Sequence, residues 1–179
     1  PKMLLVVGEC GDGKSTLVNG LRDPTQSSEA QAGRAARGVT KEITEYVGKP
    51  INGVPVTLLD TPGIGDKDVT ATALLSLLEN KLSAEDGPPI DGVIVTSSIT
   101  DGRVKLGGQV VQALVDKGFV GGDKWRNVIL CGTKKDRAEE DECEFFADDV
   151  AADFFEKAPD GKGAVMHHLA PGPRDLTPA

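Results

Sequence analysis

The sequence predicts a three-layer α/β fold, in which helices cover both faces of a mostly parallel sheet of about six strands. Short apolar runs alternate along the chain with segments of helical periodicity, as in sheets whose parallel strands are joined by helices. One strand is expected to be antiparallel, because Asn52-Gly53 between two apolar runs favours a tight hairpin. With 179 residues, the chain has the size of one domain. We therefore expect a single domain over 1–179 that has been truncated at its C-terminus.

The first half of the chain contains three predicted strands and two predicted helices. The strands are expected at 3–7, 42–47 and 54–60, and the helices at 14–22 and 69–82. The second helix would bury an apolar stripe formed by Leu74, Leu75, Leu77 and Leu78. The polar stretch 23–38 lacks periodicity and is predicted to be a loop.

The second half continues the alternation. Strands are expected at 92–96, 127–131 and 164–169, and a helix at 107–117. The acidic segment 139–156 is also predicted to be helical, because Phe146, Val150 and Phe154 recur at a helical spacing. Its carboxylates would form a solvated face, with an acidic docking surface as the alternative.

Composition restricts the classes of partner and the compartment. The net charge of -8 argues against general binding to nucleic acid, which relies on clustered Lys and Arg. The 3 cysteines are too few and too scattered for a disulfide framework, which favours a reducing compartment. No stretch approaches the roughly 20 apolar residues of a membrane-spanning helix. We expect a cytoplasmic protein, and any association with a membrane would use segments outside this chain.

The motif GECGDGKS at residues 8–15 follows directly on the apolar run 3–7. A buried strand, a glycine-rich loop and the start of a helix together form an anion site, in which main-chain N–H groups point at phosphates. Lys14 would reach the β and γ phosphates, and the Ser15 hydroxyl would ligate the Mg²⁺ of a nucleoside triphosphate. The residues expected at the phosphates are Gly11, Asp12, Gly13, Lys14, Ser15 and Thr16.

A second motif follows the third predicted strand, which ends in LLDTPG at residues 58–63. In open α/β folds, ligands bind at the edge formed by the carboxyl ends of the strands. Asp60 would hold Mg²⁺, generally through a water molecule, and the N–H of Gly63 would sense the γ phosphate.

A third motif, Thr133-Lys134-Lys135-Asp136, ends the fifth predicted strand and resembles the base-recognition signature of guanine-nucleotide-binding proteins. This resemblance implies that Asp136 reads the base and that the stem of Lys134 covers its face. A carboxylate suits guanine, which presents two N–H donors to one bidentate acceptor. Thr133 replaces the commoner Asn, which usually ties the base loop to the phosphate loop.

The same resemblance implies a switch segment before the second predicted strand. Thr40 would close over the nucleotide and bind Mg²⁺ only while the γ phosphate is present. Arg37 lies three residues earlier, at the spacing of the built-in catalytic arginine of heterotrimeric G-protein α subunits. The alternative for Arg37 is a solvated arginine; Arg34 and Arg103 are further candidates, the latter as a finger offered across a dimer.

Taken together, the motifs resemble the GTPases of immunity-associated proteins and their relatives, the septins and the chloroplast outer-envelope import GTPases. The likeness runs through 4–15, 39–41 and 54–66 and fades after residue 136. It implies a P-loop G domain that hydrolyses GTP as a switch. Ile64 stands where Ras-like enzymes carry a water-orienting Gln, so intrinsic turnover should be slow. Relatives with an apolar residue there often pair two domains, which implies a homodimer or an activating partner.

Two other functions remain open at this stage. A GTP-dependent scaffold would bind and assemble with negligible hydrolysis, which Ile64 favours. An adenine-specific P-loop ATPase or kinase is less consistent with Asp136, and the arginine-rich lid of small kinases is not evident. His167 and His168 follow the last predicted strand, near the final guanine-contacting loop, and carry no catalytic assignment.

Overall fold

A six-stranded sheet with the order β2-β3-β1-β4-β5-β6 forms the centre of the protein in the computed structural model. The structure describes residues 1–26, 28–30, 42–65, 69–82, 90–102, 104, 106–121, 124–156 and 158, and the backbone of 164–167. The strands are β1 (Lys2–Gly8), β2 (Thr44–Ile51), β3 (Val54–Asp60), β4 (Gly92–Ser98), β5 (Val128–Thr133) and β6 (Ala164–His167). The helices are α1 (Lys14–Leu21), α2 (Ala71–Leu82), α3 (Gly107–Asp116), α4 (Glu140–Phe145) and α5 (Ala151–Phe154).

Strand β1 is parallel to β3 on one side and to β4 on the other. The chain therefore changes direction across the sheet at the carboxyl end of β1, where an open α/β sheet forms its ligand crevice. The predicted phosphate loop begins at this point. The carboxyl ends of β3 and β5 lie along the same edge, because β4 pairs in parallel with β5.

The predicted hairpin is confirmed, since β2 is antiparallel to β3. Asn52 and Gly53 connect the strands with positive φ angles of 50° and 78°. Positive φ at both central residues is the requirement of the tight hairpin turn that Asn-Gly favours.

Two separate apolar cores confirm the three layers. On one face, Val6, Leu58 and Ile94 pack with Leu17 and Val18 of α1. The other core contains Leu5 and Val7 of β1, Leu74 and Leu78 of α2, Val110 and Leu114 of α3, and Phe146. Alternate residues of β1 thus point into different cores, as expected for a strand buried on both faces.

Three details differ from the sequence prediction. Strand β2 runs over Thr44–Ile51, whereas the apolar pattern predicts a strand at 42–47. Only Leu74 and Leu78 of the predicted leucine stripe are fully buried, whereas Leu77 is 36% exposed and Leu75 is half-buried. Leu74 and Leu78, four residues apart, face the core directly, Leu75 packs against its margin, and Leu77 turns towards solvent. The acidic helix is interrupted by a π-helical segment at Phe146–Val150, although its predicted apolar stripe is buried.

No helix in the described part of the chain combines the length and the apolarity needed to cross a bilayer.

Candidate nucleotide-binding site

The loop between β1 and α1 presents main-chain N–H groups at the carboxyl edge of the sheet. Gly11 and Gly13 take positive φ angles of 85° and 80°, which glycine adopts without a steric penalty. Helix α1 begins at Lys14, so Ser15 and Thr16 lie in its first turn, whose N–H groups have no partner within the helix. Within the described residues, no hydrogen bond occupies the N–H of Gly11 or those of residues 13–16. The loop therefore has the donors that a phosphate group requires.

Lys14 lies across this loop and is almost completely buried. Its Nζ donates to the main-chain carbonyls of Gly8, at 3.1 Å, and Glu9, at 2.8 Å. Burial lowers the pKa of Lys14, while the nearby carboxylates of Asp12 and Asp60 oppose this shift. An ammonium group held in this way stabilises the loop and remains close to the main-chain N–H groups that would bind phosphate.

Two acidic side chains of the loop accept main-chain hydrogen bonds. The N–H of Glu9 donates to Oδ2 of Asp12 at 3.1 Å, and the N–H of Leu106 donates to Oε1 of Glu9 at 3.1 Å. Asp12 is only 7% exposed, and burial raises its pKa to about 6. The sequence motif gave no signal for either contact, because both Glu9 and Asp12 occupy variable positions of the motif.

Asp60 ends β3 with a carboxylate that is 2% exposed. Its Oδ1 has no hydrogen-bond partner in the described part of the chain, and burial raises the pKa of Asp60 to about 6 although Lys14 lowers it. Burying a carboxylate oxygen without a partner costs free energy unless a cation, or a water molecule bound to that cation, interacts with it. The residues present thus fit Mg²⁺, which uses few protein ligands besides water and phosphate. The described residues contain no cluster of three or more acidic, His or Cys ligands.

The turn after Asp60 is attached to β1 at one point and to the phosphate loop at two. Oγ1 of Thr61 donates to the carbonyl of Val6 at 2.8 Å. The N–H of Ile64 donates to the carbonyl of Gly8 at 3.1 Å, and the N–H of Cys10 donates to the carbonyl of Ile64 at 2.9 Å.

These contacts leave no room for a side chain at Gly63, where a Cβ atom would lie 2.8 Å from Cα of Cys10. The side chain of Ile64 is fully buried in the core that contains α2 and α3. It therefore points away from any water at the γ phosphate.

Thr133 connects the third motif to the phosphate loop. Its Oγ1 lies 2.8 Å from the carbonyl of Asp12 and 3.3 Å from that of Ser97, and the shorter contact is the stronger hydrogen bond. The next residue, Lys134, has a positive φ of 58°, which turns the chain at the end of β5. The carboxylate of Asp136 is half-exposed and has Nε of Arg137 at 3.7 Å. Thr133 thus connects the segment 133–136, the predicted base loop, to the phosphate loop.

Several predicted site residues lie outside the described residues, so their roles stay predictions. These are Arg34, Arg37, Thr40, Arg103 and His168. His167 ends β6, and only its backbone is described.

In a comparison with protein families, the chain matches the family described as AIG1 over residues 2–159. The chain belongs to the AIG1 family. Because the match extends from β1 to beyond α5, it includes all three motifs. Together with the fold and the phosphate loop, it identifies the AIG1-family chain as a P-loop GTPase G domain.

Solved structures show the same fold. Toc33 from Arabidopsis thaliana in complex with GDP and Mg²⁺ has a TM-score of 0.67 and 21% sequence identity, and the match covers 96% of this chain and 72% of Toc33. The bacterial selenocysteine-specific elongation factor EF-Sec has a TM-score of 0.61 and 17% identity, and the match covers 93% of this chain. The AIG1-family chain spans only 25% of that elongation factor's length. No curated protein sequence matches the chain.

Proposed function

We propose that this AIG1-family domain binds GTP with Mg²⁺ and hydrolyses it to GDP and phosphate as a conformational switch. The observation that carries the proposal is the hydrogen bond from Thr133 to the carbonyl of Asp12, which joins the base-recognition motif to the phosphate loop. A ligand that spans both loops would present a base to one and a phosphate chain to the other.

Selectivity for guanine would come from Asp136. Its carboxylate is half-exposed, and among the described residues its one ion pair is the 3.7 Å contact with Arg137, so a ligand can reach it. A carboxylate matches the two N–H donors of guanine, and adenine has no such pair. The stem of Lys134 would cover the base.

The phosphates would be held by the N–H groups of residues 11–16 and by Lys14. Ser15 and Asp60, joined by Thr40 in the GTP state, would hold Mg²⁺, which neutralises charge on the β and γ phosphates when bound. The solved structures support this assignment, since Toc33 has been crystallised with Mg²⁺ and GMPPNP and with GDP and Mg²⁺.

Hydrolysis would proceed by in-line attack of water on the γ phosphorus. Lys14 and the loop N–H groups would stabilise the charge on the transferred group, and the N–H of Gly63 would contact the γ phosphate. Arg37 is proposed as a further catalytic group. Single-turnover hydrolysis by Arg37→Ala should be slower than wild type by about 10³ if this assignment is correct, and an unchanged rate would remove Arg37 from the mechanism.

We further propose that a second copy or an activating protein accelerates the reaction. The buried side chain of Ile64 cannot orient water, so the domain alone lacks one element of the Ras-like mechanism. For atToc33 and psToc159, dimerisation is described as important for GTPase activity.

Phosphate release at rising protein concentration tests this proposal. If a second copy activates hydrolysis, the activity per molecule should rise with concentration, and a constant, measurable activity would contradict dimer activation.

The second candidate function is a GTP-dependent scaffold, which the burial of Ile64 favours. It predicts GTP-dependent assembly in a sizing column with no phosphate release at any concentration. Measurable turnover at any concentration would exclude it.

A further inference from the structure

The phosphate loop contains two carboxylates, Glu9 and Asp12, although its proposed ligand is an anion. Their charge opposes phosphate binding, and neither side chain is required by the motif. Both carboxylates, however, accept main-chain hydrogen bonds from other residues. Their geometry therefore points to a role within the protein.

The contacts form a continuous chain across the site. At one end, Thr133 of β5 donates to the carbonyl of Asp12. In the middle, the N–H of Glu9 donates to the carboxylate of Asp12. At the other end, the N–H of Leu106, which immediately precedes α3, donates to the carboxylate of Glu9. The phosphate loop is thereby attached to β5 on one side and to the start of α3 on the other.

We propose that the side chain of Asp12 is a positioning residue, which holds the phosphate loop in its nucleotide-binding conformation by accepting the N–H of Glu9. Asp12 would act through the loop and would not touch the phosphates with its carboxylate. The inference rests on the proposed function only for its consequence, which is slower release of the bound nucleotide.

The carboxylate acts here as an acceptor, and its negative charge is incidental. Asn has an amide oxygen at nearly the same place, so Asp12→Asn keeps the acceptor and removes the charge. Ala removes both. The loss of this one hydrogen bond from the loop should speed nucleotide release by about fivefold to tenfold.

The direct test is hydrogen exchange of the Glu9 amide in nucleotide-free protein, followed by NMR. We expect Asp12→Ala to lose the protection of this amide and Asp12→Asn to retain it. In parallel, release of a fluorescent GDP analogue should be about fivefold to tenfold faster from Asp12→Ala and within about twofold of wild type from Asp12→Asn. Asp149→Ala, at an exposed acidic position in the π-helical segment, should match wild type in both measurements.

Two results would overturn the inference. Glu9 amide protection in Asp12→Ala equal to wild type would show that the hydrogen bond does not hold the loop. Equal losses in Asp12→Ala and Asp12→Asn would show that the charge matters and the acceptor does not. The exchange measurement needs no nucleotide, so it remains decisive even if the protein fails to bind GDP, which would contradict the proposed function alone.

If Asp12→Ala does not fold, the neighbouring contact between Glu9 and Leu106 tests the chain of contacts of which Asp12 is part. Glu9→Gln keeps an acceptor for the N–H of Leu106, and Glu9→Ala removes it. We expect faster exchange of the Leu106 amide in Glu9→Ala only, and equal exchange in both variants would contradict the chain of contacts.

Discussion

The hydroxyl of Thr133 donates a hydrogen bond of 2.8 Å to the main-chain carbonyl of Asp12, which lies 121 residues earlier in the sequence. The two residues belong to different loops at the carboxyl edge of the sheet. Gly13 follows Asp12 directly and takes a positive φ of 80°, which glycine adopts without a steric penalty. The base loop and the phosphate loop are therefore one connected structure.

Thr133→Val should weaken guanine-nucleotide binding while preserving the packing around the residue. Valine has the same shape without the hydroxyl, so only the hydroxyl's contacts with the carbonyls of Asp12 and Ser97 are lost, which corresponds to about tenfold or less in affinity. Thr133→Ser should bind nearly as tightly as wild type. Titration with a fluorescent GDP analogue measures both, and equal affinities for all three proteins would show that the contact does not stabilise the site.

Gly63→Ala should impair the binding of GTP analogues more than that of GDP. A Cβ atom at this position would meet Cα of Cys10 at 2.8 Å, so the turn must move away from the phosphate loop and from the γ phosphate. We expect at least about tenfold selective loss for a non-hydrolysable GTP analogue. Gly121→Ala is the matched control, since its Cβ would have only an ordinary contact of 3.5 Å. Equal effects on the two nucleotides would contradict γ-phosphate sensing by Gly63.

The stability of the nucleotide-free protein should fall as pH rises through the titration of Asp60. Burial raises the pKa of Asp60 from 3.8 to about 6, so the folded state binds more protons than the unfolded state between these values. Stability is therefore lost between pH 3.8 and about 6 and is not regained at higher pH.

Asp60→Asn should abolish this part of the pH dependence. The difference in free energy of unfolding between the variant and wild type should therefore shift in favour of the variant by about 2 kcal/mol from acidic to neutral pH. Urea unfolding at about pH 4 and pH 7.5 measures the difference, in which any pH-independent cost of burying the amide cancels. The exposed Asp149→Asn is the control. A constant difference between Asp60→Asn and wild type would mean that Asp60 is not buried as described.

Ile64→Gln should destabilise the domain and should not create a Ras-like enzyme. The side chain of Ile64 is fully buried in an apolar core, so an amide there loses its hydrogen bonds to water. We expect a loss of about 2–4 kcal/mol in free energy of unfolding and no gain in phosphate release. Faster hydrolysis with unchanged stability would show that this position faces the nucleotide.

Most of the sheet could be predicted, because apolar runs and glycine-rich turns are local signals. The hairpin at Asn52-Gly53 was determined by two residues, and the phosphate loop by one contiguous motif. The prediction of a buried leucine stripe on α2 was wrong in part. Helical spacing indicates which side of a helix is apolar, but it does not indicate how much of that side the neighbouring elements cover. Leu77 lies on that uncovered margin.

The contacts between loops could not be predicted from the sequence. The acceptor roles of Glu9 and Asp12 depend on where Leu106 and the loop backbone come to lie. The sequence also left open whether Thr133 could replace Asn as a tether, because the reach of a short hydroxyl depends on distances set by the whole sheet. Arg37 and Thr40 lie outside the described residues and stay predictions.

Competition binding with Asp136→Asn tests the central claim, that this domain recognises guanine nucleotides, most directly. Wild-type protein should bind GTP far more tightly than ATP or XTP. The Asn amide cannot accept both N–H donors of guanine, but it can accept one N–H of xanthine and donate to the neighbouring carbonyl. The affinity for GTP should therefore fall by at least about tenfold, and XTP should become the tighter ligand. Equal binding of ATP and GTP by the wild type, or unchanged preference in the variant, would contradict the account.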